Sequence, residues 1–267
     1  MFSSKPLRGA AFVLTTLMLG ACATAPETGR QQLLMVDTER EAQLGIGAFE
    51  KKKKQTPISN NRDANQQLQS VGRRLARVVQ APNAHWEFVL FEDKEPNAFA
   101  LPGGKVGVNT GILPITKDEA GLATVVAHEI AHVSAHHGAE RTSQEVAAQV
   151  GGSLLSIALS ATGLGGLGEN LAMQAFGLGT QYGLLLPYSR MQESEADQIG
   201  LLYMARAGYD PREAIAFWQR FDVYNSTHGG NGPEFLSTHP LDATRIGELQ
   251  KHLPQALAEY RKAGGAG

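Results

Sequence analysis

Two histidines four residues apart, His128 and His132, flank Glu129 in the stretch AHEIAH at 127–132. On an α-helix that spacing puts both rings on one face, one turn apart. Imidazole nitrogens bind zinc from about 2.0–2.1 Å, so the pair can grip one ion. Glu129 falls close to the same ion but is placed to meet water instead of the metal. The metal acidifies the water and the carboxylate takes its proton, which is the division of labour in metal-assisted hydrolysis. The competing interpretation is a core helix with two incidental histidines, and a third ligand decides between them.

His136 continues the same face, but eight residues at 1.5 Å each put it about 12 Å from His128, too far to share an ion. His136 and His137 therefore read as solvated residues near the helix end. Ala135 and Gly138 stand where a metzincin has its glycine and third histidine, which excludes that class. The stretch SRMQESEADQIG at 189–200 begins another helix, and Glu193 and Asp197, four apart, share a face of it. Glu193 can complete a tetrahedral site whose fourth position stays open for water. Asp197 can accept a hydrogen bond from the free ring nitrogen of a ligand histidine, His128 first, and so fix its tautomer. Glu195 reads as surface. Taken alone, Glu193 and Asp197 fit better as a solvated helix face shared with Arg190.

HEIAH followed by ESEAD inside SRxxExxAD resembles the gluzincin peptidases of the HtpX and CAAX-prenyl-protease family. NAFALPGGKVGVNTGIL at 97–113 is similar to the strand pair before that family's zinc helix. STHPLDATRI at 237–246 is similar to its later motif, a histidine followed six residues on by an arginine. The motifs keep the family's order and resemble most its periplasmic lipoprotein branch. The resemblance implies a zincin-like catalytic domain with one Zn2+ per chain on His128, His132 and Glu193, with Glu129 as general base. It implies that His239 and Arg245 sit near the scissile carbonyl and stabilise its oxyanion, where donor groups lower a barrier by a few kcal/mol. Without the family, the Thr-His-Pro stretch reads as a loop turn and Arg245 as a surface residue. His239 is also a candidate for the open metal position when no substrate is bound. Asn97, Ala98, Phe99 and Ala100 would form an edge strand that binds an extended peptide through its backbone. A merely structural strand fits those residues as well.

The elements that must position these groups follow from the rest of the chain. Its 267 residues, 42% hydrophobic and 19% charged, can bury a core. A net charge of -2 gives no broad attraction to nucleic acid. One cysteine excludes an intrachain disulfide and leaves any metal to histidines and carboxylates. Lys5 and Arg8 precede an apolar run at 10–21 that is short for a bilayer. LGAC at 19–22 resembles a bacterial lipobox, which implies cleavage before Cys22 and its lipid modification; an ordinary signal peptide with an incidental cysteine is the alternative. Ala23 after it favours, by the same resemblance, the outer membrane. The expected organisation is a signal peptide at 1–21, a tether at 22–36 and a metallopeptidase domain at 37–267.

A helix is expected from Asp37–Thr38, with Glu41 behind it, to the lysines at 51–54, and a second over 60–80. HWEFVLFED at 85–93 reads as a strand, and 97–113 as two strands around a Pro-Gly-Gly turn. Everything after Asp118 reads helical, so the fold class is mainly α with a small β-sheet (α+β). Residues 146–189 carry one charged side chain, Glu169, and many glycines. They read as two buried or partly mobile helices around a Gly-rich loop that can cover a cleft, in preference to a membrane span. The function expected is a lipid-anchored, periplasm-facing zinc endopeptidase acting on unfolded or unassembled envelope proteins. Its rivals are an assembly factor or chaperone with a structural or latent zinc site, and a non-catalytic lipoprotein without metal.

Overall fold

The computed structural model describes residues 22–162, 165–181, 185–228, 235–236, 239–240 and 244–265. The residues expected as signal peptide lie outside these. Strands β1 (Cys22–Thr24) and β2 (Gln31–Leu33) form an antiparallel hairpin. Helix α1 (Thr38–Gln55) is capped by Asp37, whose side chain accepts from the Glu39 N–H. Helix α2 (Arg62–Ala76) is capped by Asn61 and is shorter than the expected 60–80.

Three strands follow: β3 (Glu87–Phe91), β4 (Ala98–Leu101) and β5 (Lys105–Asn109). β5 lies in the middle, parallel to β3 and antiparallel to β4, which leaves β4 at an edge. The β4–β5 turn needs left-handed backbone at Gly103 and Gly104, with φ of 84° and 80°, which glycine adopts without a Cβ clash. A short helix α3 (Leu113–Thr116) leads to α4 (Glu119–Ser134), whose cap Asp118 accepts from the Gly121 N–H. Then come α5 (His137–Ser160), α6 (Gly165–Thr180), α7 (Leu186–Arg206), α8 (Arg212–Thr227) and α9 (Arg245–Lys262). The class is α+β, as the sequence reads.

Helix α4 is the centre of the core. Leu122, Val126 and Ile130 are fully buried, and α4 packs against α2, the sheet, α7 and α8. Helices α4 and α7 approach closely at Gly200, where an added Cβ would lie 3.2 Å from the His128 backbone nitrogen. Below α4, the rings of Phe217, Trp218 and Phe221 from α8 pack with Phe235. Burying each such ring contributes about 1.5–3 kcal/mol.

Two expectations need correction. The stretch at 22–36 is not a free tether: it contains the hairpin, which is docked, with Ala25 and Gln32 buried. Of the two alternatives for 146–189, buried or partly mobile helices, the buried one does not hold for α5 and α6. They pack on each other but leave Leu154, Ile157 and Leu171 about 60% exposed, at 59%, 69% and 59%. Among the described residues no helix is long and apolar enough to cross a membrane.

Candidate active site

The geometry of the site begins with a break in the helix. α4 ends at Ser134, His136 adopts left-handed backbone with φ of 52°, and α5 starts at His137. A non-glycine residue there costs about 1–2 kcal/mol, and His136 is held by Glu41, whose Oε2 lies 3.0 Å from its Nδ1. The reversal matters because it turns His137 back onto His132.

His128 and His132 project from α4 toward Glu193 of α7, as their spacing predicts. The Nε2 atoms of the two histidines are 3.1 Å apart. Glu193 Oε2 lies 3.2 Å from His128 Nε2, and its Oε1 lies 3.4 Å from His132 Nε2. His239 joins them, with Nδ1 at 2.9 Å from Glu193 Oε2 and 3.2 Å from His128 Nε2. Donor atoms of these four residues all fall within 4.8 Å of one another.

The hydrogen-bond partners fix how the rings face. Asp197 Oδ1 is 2.9 Å from His128 Nδ1, and a carboxylate only accepts, so that nitrogen carries a proton and Nε2 is the atom at which a metal would replace the second proton. Burial pulls the His128 ring down, but Asp197 and Glu193 outweigh it and hold it at about 9. The pocket thus favours positive charge. His132 Nδ1 meets His137 Nδ1 at 2.9 Å, which leaves its Nε2 facing that of His128. At this separation the two Nε2 atoms repel unless a proton or a metal cation lies between them. Glu193 Oε1 is buried with no hydrogen-bond partner. The donor set therefore fits a divalent ion of the zinc type, with imidazole and carboxylate ligands.

Glu129 is almost fully buried and faces the other side of the cluster. Its Oε2 accepts from the Ala100 N–H at 3.1 Å, and its Oε1 lies 3.2 Å from His239 Nε2. Burial raises its carboxyl above the usual range, against the pull of His239 and His128. Asn97 and the edge-strand residues Ala98, Phe99 and Ala100 line a cleft of about 510 Å³ together with Glu129 and His239. The strand expected to meet a peptide is thus next to the expected base.

Three sequence readings change. Arg245 is buried, and its Nε and Nη2 donate to Asp197 at 2.6 and 2.8 Å. Its guanidinium stacks 3.6 Å above the Trp218 ring. So engaged, it braces Asp197 and through it His128, not at the surface as the bare sequence reads but beside the ligands, with Nη1 3.6 Å from Glu193 Oε2. His137, expected to be solvated, is buried against His132. Glu195, expected at the surface, is buried and bonded to His137 at 3.1 Å. An unbroken helix through 136 hid the first, and without His137 there was no partner to call Glu195 inward.

Fold and site together define an HExxH metallopeptidase. Residues 62–253 match the model of Peptidase family M48, and the chain belongs to that family, whose members are zinc-dependent. It is similar to mitochondrial metalloendopeptidase OMA1 of Schizosaccharomyces pombe, 39% identical over 184 residues, 69% of this chain and 51% of the relative. It is 31% identical over 245 residues to mitochondrial metalloendopeptidase OMA1 of Bos taurus, 87% of this chain and 46% of the relative. The beta-barrel assembly-enhancing protease of Escherichia coli is 28% identical over 239 residues, 87% of this chain and 47% of the relative. The chain spans about half the length of the curated relatives it matches. The family resemblance drawn from the motifs is borne out.

Proposed function

We propose that the protein is a zinc endopeptidase that takes extended polypeptide into the cleft beside β4. The carrying observation is the convergence of two histidines and Glu193 from separate helices, with the buried Glu129 beside them and tied to the edge strand. His128, His132 and Glu193 would hold the ion, which supplies a Lewis acid that acidifies water and polarises a peptide carbonyl. Glu129 takes the proton of the attacking water and returns it to the leaving amine. Asp197 and Arg245 keep the His128 ring turned to the ion. The outer edge of β4 would pair with substrate backbone, which selects for unfolded chain over sequence.

We further infer that Cys22 is lipid-modified and holds the enzyme at the outer membrane, facing the periplasm, with unfolded envelope proteins as substrates. The lipobox-like LGAC and the similarity to a protease named for β-barrel assembly support that assignment. A second reading, a latent or assembly-type site, is favoured by one observation: His239 Nδ1 already lies among the ligands. In that resting state His239 would fill the fourth position.

One experiment tests both. Glu129→Gln should retain bound zinc and lose chelator-sensitive cleavage of casein; retained cleavage refutes the assigned role. His239→Ala separates the readings. A latch predicts faster cleavage of casein on its removal, and an oxyanion contact predicts slower.

A further inference from the structure

The ring of His132 is backed by a line of side chains that ends in the N-terminal hairpin. Behind His137, Glu195 Oε2 accepts from Arg30 Nε at 2.7 Å, and Glu195 Oε1 accepts from Thr28 Oγ1. Arg30 reaches across to Glu140 of α5 with its remaining nitrogens, both at 2.7 Å. Glu140 also accepts from Gln192 of α7 at 2.9 Å. Arg30 thus bridges α5 and α7, the two helices that supply His137 and Glu195. His137, Glu140 and Glu195 are all buried.

The direction of every bond in this line is determined. Arginine can only donate, so Glu195 accepts from Arg30. A carboxylate oxygen facing His137 Nε2 at 3.1 Å takes that proton as well. His137 Nδ1 is then a bare acceptor, and among the described residues the donor facing it is His132 Nδ1–H at 2.9 Å. With its proton held there, His132 has its Nε2 lone pair on the side of His128 and Glu193. The same orientation is given to His128 by Asp197 directly. His132 receives it through an intervening imidazole and an arginine from another part of the chain.

We propose that Arg30 is a positioning residue for the metal site, acting through Glu195 and His137 to set the tautomer and rotation of His132. The inference rests on the reading of His132 as a ligand. The plainer alternative is that Arg30 only fastens the hairpin to the body of the protein. Arg206 offers a control, because it holds the same hairpin through Glu27, at 2.6 and 3.0 Å, and its partners among the described residues, Glu27 and Glu259, do not touch His132.

The test uses the full-length chain and measures zinc affinity by competition with a chelating dye, with circular dichroism of the zinc-free protein to follow folding. Arg30→Met and His137→Phe should each weaken zinc about tenfold to a hundredfold, the size expected when a ligand histidine loses its orienting partner. The double variant should bind no more weakly than the weaker single, because both changes cut one line. Arg30→Lys, which keeps a donor toward Glu195, should recover part of the loss. Arg206→Met should lower thermal stability and leave zinc affinity within about twofold. Wild-type affinity in Arg30→Met, an equal loss in Arg206→Met, or additive losses in the double variant would overturn the proposal. Should Arg30→Met fail to fold, His137→Phe and Glu195→Gln carry the same test, and undiminished zinc affinity in both overturns it. A wild-type chain that binds no zinc, or His132→Ala that binds as tightly as wild type, overturns the ligand reading and this inference together.

Discussion

One carboxylate, Asp197, serves two partners at once. It accepts from His128 Nδ1 at 2.9 Å and takes a two-pronged contact from Arg245. Asp197→Asn keeps the shape but offers one acceptor and one competing donor. The His128 ring then loses its fixed tautomer, and zinc affinity should fall about tenfold to a hundredfold. Dye competition on the purified variant measures this, and affinity equal to wild type would show that His128 needs no such support. At this scale the sequence was informative wherever contacts follow helical periodicity. His128, Glu129 and His132 lie on one turn of α4, and Glu193 and Asp197 on one turn of α7, so i, i+4 spacing places them. His137 and Glu195 were misread because their contacts depend on a backbone reversal at His136. No glycine or proline marks that reversal at 135–136. The burial of Arg245 was not legible without the family, because its partner in stacking, Trp218, comes from α8, which no motif ties to the site.

Two helices must pack closely at one point for those residues to meet. Gly200 of α7 sits against His128 of α4, and any side chain at 200 would press on backbone that has nowhere to move within a filled core. Gly200→Val should push α7 outward, cost about 1–3 kcal/mol by overpacking, and draw Glu193 away from the histidines. Thermal melting of the zinc-free variant together with its zinc affinity reads both effects. Unchanged zinc affinity alongside a lowered melting temperature would mean that the helix spacing is not what sets the ligand geometry. Elements with strong local signals were legible: the helix start at Asp37, the turn at 102–104, and the helical run after Asp118. The parallel β3–β5 pairing was not, since strand order is a non-local choice that alternation leaves open. Nor was the exposure of α5 and α6, because a charge-free sequence reports hydrophobicity without reporting what packs on it.

Across the molecule, the hairpin at 22–33 is held to the helices by buried charge, and this gives stability an acid limit. Burial acts to raise the Glu140 carboxyl, but the bonds from Arg30 and Gln192 overcome it and leave it below the usual carboxylate range. Glu195 is lowered too, where burial is outweighed by His137, Thr28 and Arg30. A carboxyl whose folded pKa lies below its unfolded value, about 4.3, adds stability that is fully present above that value. The contribution is lost as pH falls through the folded pKa. Wild type should therefore keep the Glu140 and Glu195 contribution from neutral pH down to about 5 and lose it progressively below about 4.3. Glu140→Gln removes one of these titrations and leaves Arg30 with a neutral partner on that side. It should melt lower at pH 7, by about 1–3 kcal/mol, and the gap to wild type should narrow as pH falls from 5 to 3. Comparing the two proteins by calorimetry over that window cancels every group they share, the metal ligands included. A gap that stays constant or widens on acidification would place the acid sensitivity of the fold somewhere other than the Arg30 anchor.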